Sequence, residues 1–220
     1  MKEFHRHLDD ELNELRDQVL LLGGEAERAV ERAMFALRER DNDVANEVLQ
    51  HDDDIDRLEV QVDRLCIDVI ALHQPAARDL RFVIAAVKMA PILERIADHA
   101  CNIARAVVDL NLEPESKRNA ELENMAEHAV EMLHGALDAF TTNDGIAARR
   151  VIARDEEINL LYNNLFRNLI ELMASEPRSA TRGARLLFIA KHLERIGDYA
   201  KDICELTVYM MEAAIIKHVH

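Results

Sequence analysis

Glycine and proline are scarce in this chain, with 6 and 4 among 220 residues. So few breakers leave the backbone little reason to turn, and long uninterrupted helices are expected. No apolar run approaches the roughly 20 residues that a bilayer-spanning helix needs. The start, Met1 to Asp10, is polar and lacks the apolar core of a secretion signal. Together these absences give the expectation of a cytosolic protein. Cysteine is sparse too: Cys66, Cys101 and Cys204 are odd in number, far apart and never in a CxxC pair. They read as reduced thiols in or near the core, not as a disulfide frame or a zinc knot. There is no Gly-rich phosphate loop, nucleophile elbow or HExxH, so no catalytic constellation is visible.

What is present is a normal soluble balance, 49% hydrophobic and 31% charged residues. The length suits one domain or two small ones and is enough to bury a substantial core. The formal net charge is −15. Such a field repels nucleic-acid phosphates and anionic lipid, so neither is an expected direct partner, and a membrane is reached only through partner proteins. It favours cations and basic partner surfaces, although an acidic surface is also the ordinary means of staying soluble.

Apolar residues recur at helical spacing nearly throughout. Leu8, Leu12, Leu15, Val19, Leu22, Ala26, Ala29, Ala33 and Leu37 mark one buried face of a first helix. Asp41-Asn42-Asp43 interrupts it, with Asp43 as the expected N-cap of a second helix carrying Val44, Val48, Ile55, Leu58, Val62, Leu65, Val69 and Leu72. Pro75 closes that stretch. A third helix runs from about Ala77 to Leu110, with Leu80, Val83, Ile84, Val87, Leu93, Ile96, Ala100, Ile103 and Val107 inward and Pro91 inside it, where its missing N–H is expected to kink the helix. Asn111 to Ser116 reads as a linker. Helices from about Lys117 to Thr141, from Ile146 to near Pro177, and from about Ser179 to the C-terminus then follow.

The plan is a duplication. Asp52-Asp53-Asp54-Ile55 corresponds to Asp155-Glu156-Glu157-Ile158, and Pro75 to Pro177. Glu94-Arg95-Ile96-Ala97-Asp98-His99-Ala100 corresponds to Glu194-Arg195-Ile196-Gly197-Asp198-Tyr199-Ala200. The expected fold is all-α: two tandem three-helix bundles, six helices in all, over residues 1–112 and 116–220. Short loops force antiparallel neighbours within each bundle. The surplus length of each third helix is expected to pack on the other repeat.

Each third helix carries oxygen ligands four residues apart: Glu94, Asp98 and Asn102 in one, Glu194, Asp198 and Asp202 in the other. At about 100° per residue such a row spans roughly 80° of one face, and it falls roughly 90–190° from the apolar row, so it is expected to point outward. Like charges at i, i+4 destabilise a helix by a few tenths of a kcal/mol, and a bound cation reverses the sign. Hard oxygen ligands suit iron, manganese, magnesium or another divalent cation. Glu59 with Asp63, and Asp155 to Glu157, are further ligand candidates from neighbouring helices. The bland alternative is a solvated charged face. Glu131-Met132-Leu133-His134 is a single ExxH, whereas di-iron bundles need two. His5, His7, His218 and His220 sit near the termini.

Tandem three-helix repeats with ERIxD on each third helix resemble the PhoU family. Gln74-Pro75-Ala76-Ala77-Arg78-Asp79-Leu80-Arg81 is similar to that family's proline-led DLR opening of the helix. The resemblance covers essentially the whole chain. It implies a non-enzymatic negative regulator of the phosphate-starvation response and of high-affinity phosphate uptake. Its implied partners are the ATPase subunit of a phosphate ABC transporter (PstB-like) and a sensor histidine kinase (PhoR-like). It also implies metal on Glu94, Asp98 and Asn102 and on Glu194, Asp198 and Asp202. A homodimer is expected as well, because each repeat exposes one long helix. Two departures from the family pattern stand out: Ala97 replaces the first ERIGD glycine, and the second repeat reads Ser179-Ala180-Thr181-Arg182 where DLR is expected. Competing readings are a metal-dependent enzyme on the carboxylates and a purely structural helical scaffold.

Overall fold

Asp41 makes the first break in the chain. Its backbone is extended and its Oδ1 accepts the N–H groups of Asp43 and Val44, at 2.9 and 3.0 Å. Asp41, not Asp43, is therefore the cap. Asp43 instead lies in the first turn of the helix, where its charge complements the helix dipole. In this computed structural model residues 2–114, 119–213 and 216 are described, with side chains from residue 7 onward. The helices are α1 (Lys2–Glu39), α2 (Asn42–Gln50), α3 (Asp52–His73), α4 (Ala77–Asn111), α5 (Ala120–Thr142), α6 (Gly145–Ala153), α7 (Asp155–Ser175) and α8 (Ala180–Glu212), with a 3₁₀ turn at Pro177–Ser179.

The fold is all-helical and tandem, with three rods per repeat, but each middle rod is broken in two. The break falls at His51 in one repeat and Arg154 in the other, just ahead of Asp52-Asp53-Asp54 and Asp155-Glu156-Glu157. Three adjacent carboxylates are unfavourable within a helix and favourable at its positive N-terminal end, so the acidic run starts a new helix in both repeats. Asp144 caps α6 as Asp41 caps α2, accepting from Ile146 and Ala147 at 2.9 Å each. α4 runs without interruption through Pro91. The fourth rod begins at Ala120, its start capped by Asn119; the expected start, Lys117, lies outside the described residues, as do His218 and His220. α8 stops at Glu212, where Ala213 takes a left-handed conformation, and so does not run to the C-terminus.

α4 packs against α1, α2 and α3 of its own repeat, and α8 against α5, α6 and α7. The two central helices also pack on each other, and α1 meets α5, which joins the repeats along their length. Leu93, Ile96, Ala97, Ala100, Ile103, Ala104 and Val107 are fully buried, as are Leu193, Ile196, Ala200, Ile203 and Cys204. Each large aliphatic in that set contributes about 1.5–3 kcal/mol. At Gly197 an added Cβ would stand 2.9 Å from Ile158 Cδ1, so glycine permits that approach, whereas the equivalent Ala97 is accommodated in the first repeat. Leu72, Leu80 and Val87, read as inward, are exposed. All three cysteines are free and buried. Among the described residues no helix is long and apolar enough to cross a membrane.

Candidate functional site

The carboxylates of α4 lie along the seam where α3 crosses it. Burial first, then the negative charges of Asp98 and Asp56, push the Glu94 carboxyl up to about 7; Glu59 adds to this and Arg95 opposes it. Burial together with Asp52, Asp98 and Asp53 raises Asp56, and burial together with Asp63 and Asp56 raises Glu59. Two helices thus bring Asp56, Glu59, Glu94 and Asp98 together. None of these four has an ion-pair partner within 4 Å among the described residues. Asp52 closes one end, accepting the Cys101 thiol at 3.3 Å, with Arg105 at 4.0 Å.

The expected outward row is corrected in two respects. Of the six oxygen ligands on α4 and α8 only Asp98 is exposed, and the Glu194 side chain retains 13% of its surface. A helical wheel places a residue relative to one apolar face, whereas α4 and α8 are covered on several sides. Nor does each row act as one set. Asn102 Oδ1 accepts from Arg105 at 3.0 Å, and Asp202 lines a separate cavity of about 350 Å³ with Lys88, Glu205 and Tyr209. Asp56 was missed in the sequence, although the signal was there. Asp52, Asp56, Glu59 and Asp63 follow a four-three-four spacing that puts all of them on one face of α3.

The second seam differs. Lys201 donates to Asp155 at 2.7 Å, Lys191 to Glu194 at 2.6 Å and Arg195 to Asp198 at 2.8 Å. Burial and Glu194 still raise the Asp198 carboxyl, while Arg195 and Lys191 oppose the rise. The ExxH breaks apart: Glu131 accepts from Arg154 at 2.6 Å, and His134 bonds Glu27 at 2.8 Å. Between the repeats His99 and His192 meet Nδ1 to Nδ1 at 2.7 Å, with His99 stacked on Tyr199. Burial, then His192 and the two arginines Arg195 and Arg95, drive His99 down to about 4, so the pair is neutral at pH 7.

Hard carboxylate oxygens with unrelieved mutual repulsion fit a divalent cation at the first seam. Among the described residues no three His, Cys, Asp or Glu side chains stand close enough to hold one as they are placed, so ligation there requires rotamer changes. The second seam fits poorly, because each of its carboxylates already holds a cationic side chain. A cleft of about 820 Å³, lined by Phe35, Arg40, Leu110 and Arg182, opens about 24 Å along α4 from Glu94 and includes none of the carboxylates of either seam.

Two three-rod helical bundles in tandem, each with a run of carboxylates along its central helix, place the chain among duplicated helical-bundle proteins. The PhoU domain model matches residues 19–107 and 122–207. A phosphate-specific transport system accessory protein PhoU homolog from Aquifex aeolicus is 37% identical over 96% of this chain and 95% of its own length. The crystal structure of PhoU from Pseudomonas aeruginosa superposes with a TM-score of 0.91 at 35% identity, covering 94% of this chain and 99% of that one. That of the phosphate transport system regulatory protein PhoU from Streptococcus pneumoniae gives 0.89 at 31%, covering 96% and 99%. The chain belongs to the PhoU family. These relatives are named as accessory and regulatory proteins, not as enzymes.

Proposed function

We propose that this chain is a negative regulator of phosphate-specific transport and of the phosphate-starvation response. In this reading it works in the cytosol as an adaptor between the ATPase subunit of a phosphate ABC transporter and a sensor histidine kinase, holding the kinase quiet when phosphate is plentiful. The observation that carries the reading is the likeness to PhoU over nearly the whole of both chains. The first seam supports it as a docking face. On α4 the line Leu80, Val87, Glu94 repeats every seven residues, so exposed apolar side chains lead directly to the carboxylates, and Ile67 on α3 is exposed as well. Coupling requires that this face bind one transporter state better than another.

Iron, manganese, magnesium or another divalent cation on Asp56, Glu59, Glu94 and Asp98 would supply the charge that cancels their repulsion. These side chains would then set the shape of the docking face. The two repeats, residues 1–112 and 116–220, would present separate surfaces to the two partners, with a homodimer as the working unit. The test is alkaline phosphatase activity in a strain deleted for this gene and grown with abundant phosphate. The expected result is high constitutive activity, restored to low by the gene. Unchanged low activity would refute the regulator reading.

A further inference from the structure

The duplication gives every residue of one acidic seam a counterpart in the other, and the counterparts are not equivalent. On the middle rod Asp52, Asp56, Glu59 and Asp63 correspond to Asp155, Asn159, Tyr162 and Phe166. One carboxylate of four is retained. On the central helix Glu94 and Asp98 are matched by Glu194 and Asp198, but Pro91 gives way to Lys191 and Cys101 to Lys201. The exchange at Cys101 is direct. In the first repeat a thiol donates to Asp52 Oδ1 at 3.3 Å, and in the second the Lys201 ammonium donates to Asp155 Oδ2 at 2.7 Å.

All three second-seam carboxylates are engaged in this way. Lys191 Nζ sits 2.6 Å from Glu194 Oε2, and Arg195 Nη1 sits 2.8 Å from Asp198 Oδ2. The Asp155 and Glu194 side chains are only 11% and 13% exposed. The carboxylate end of each pair is therefore withdrawn from solvent, while the Lys201 and Lys191 side chains keep 36% and 49% of their surface. Removing a partner from such a pair leaves an uncompensated buried charge, and an incoming dication would have to displace the partner first. The first seam has carboxylates at all six of these positions, with Arg105 4.0 Å from Asp52 and no cationic side chain on Asp56, Glu59, Glu94 or Asp98 among the described residues.

We infer that the second repeat has filled its seam with two side-chain cations that the first repeat lacks, Lys191 and Lys201, so that any divalent cation this chain takes up is confined to the first repeat. The two pseudo-equivalent faces then differ in kind. One changes charge with the metal supply, and the other stays neutralised under all conditions. This inference rests on reading the first seam as a metal site, and the experiment separates the two claims.

Metal-stripped full-length protein is titrated with Mn²⁺ by calorimetry, with helicity checked by circular dichroism for each variant. The wild type is expected to bind at its first seam, with Glu94→Gln/Asp98→Asn weakening binding at least tenfold and Glu194→Gln/Asp198→Asn leaving it unchanged. A variant carrying Lys191→Ala, Asn159→Asp, Tyr162→Glu and Lys201→Cys is expected to gain a second class of Mn²⁺ site. Should it misfold, Lys191→Ala/Lys201→Cys alone gives the same reading, a weaker added site. Loss of wild-type binding on Glu194→Gln/Asp198→Asn overturns the inference, as does a lysine-free second seam that gains nothing. If the wild type binds no Mn²⁺ but the lysine-free variant does, the first-seam metal reading fails while the exclusion by lysine stands.

Discussion

Replacing Glu94 with glutamine keeps the shape of the first seam and removes one of its charges. In metal-free buffer the native protein holds the proton on Glu94 up to about pH 7, against the 4.5 ordinary for a glutamate, because of burial and the charges of Asp98 and Asp56. A folded-state value above the unfolded one means that stability is complete below about pH 4.5 and is lost as pH rises through 7. At about 1.4 kcal/mol per tenfold change in proton affinity, the loss has an upper bound near 3 kcal/mol. Glu94 is only partly buried, and solvent screening reduces this to about 1–2 kcal/mol. Glu94→Gln is therefore expected to be more stable than wild type by about that amount at pH 8 and nearly equal at pH 4.5, read from urea unfolding in the presence of a chelator. Added Mn²⁺ should reverse the order at pH 8, since binding to the native state stabilises only the chain with its ligands intact. A variant equally stable or less stable at pH 8 without metal would refute the account of a repulsive, half-buried cluster.

Three further outcomes follow from the packing. Asp41→Ala and Asp144→Ala each remove a cap accepting two N–H groups, and each should lose about 1 kcal/mol in chemical denaturation, with a matching loss in the two repeats. Leu93→Ala, at a fully buried position, should cost about 2–5 kcal/mol, and a loss under 1 kcal/mol would contradict the tight central pair. His99 is held neutral, with its value lowered to about 4. Native stability should therefore fall as pH drops from about 6.5 toward 4, and His99→Gln should flatten that fall in a thermal-melt series; a parallel acid profile would count against the neutral histidine pair.

The duplication was legible in the sequence because breakers, acidic runs and ERIxD recur in register, and so were the buried faces of α1 and the central helices. The bent middle rods were harder to see, since Val48 and Ile55 keep helical phase across His51 and only the acidic triplet marks the new start. Leu80 and Val87 were misplaced for a related reason: periodicity identifies an apolar stripe but not whether a neighbour reaches far enough to cover it. The seam itself was half visible. Its α4 side stood out as Glu94 and Asp98, whereas Asp56 belongs to a face of α3 whose meaning depends on which helix crosses it. The lysines of the second seam are ordinary surface residues in sequence, and only the alignment of the two repeats together with their contacts gives them a role.

The shared burial of α4 against α8 has a consequence for the independence of the two halves. Leu93, Ile96, Leu193 and Ile196 belong to one continuous apolar interior, so neither half keeps a dry interior once the other is cut away. The two copies therefore share one interior while differing at their seams. The two seams are thus carried on one packed body, with α4 lying against α8 between them.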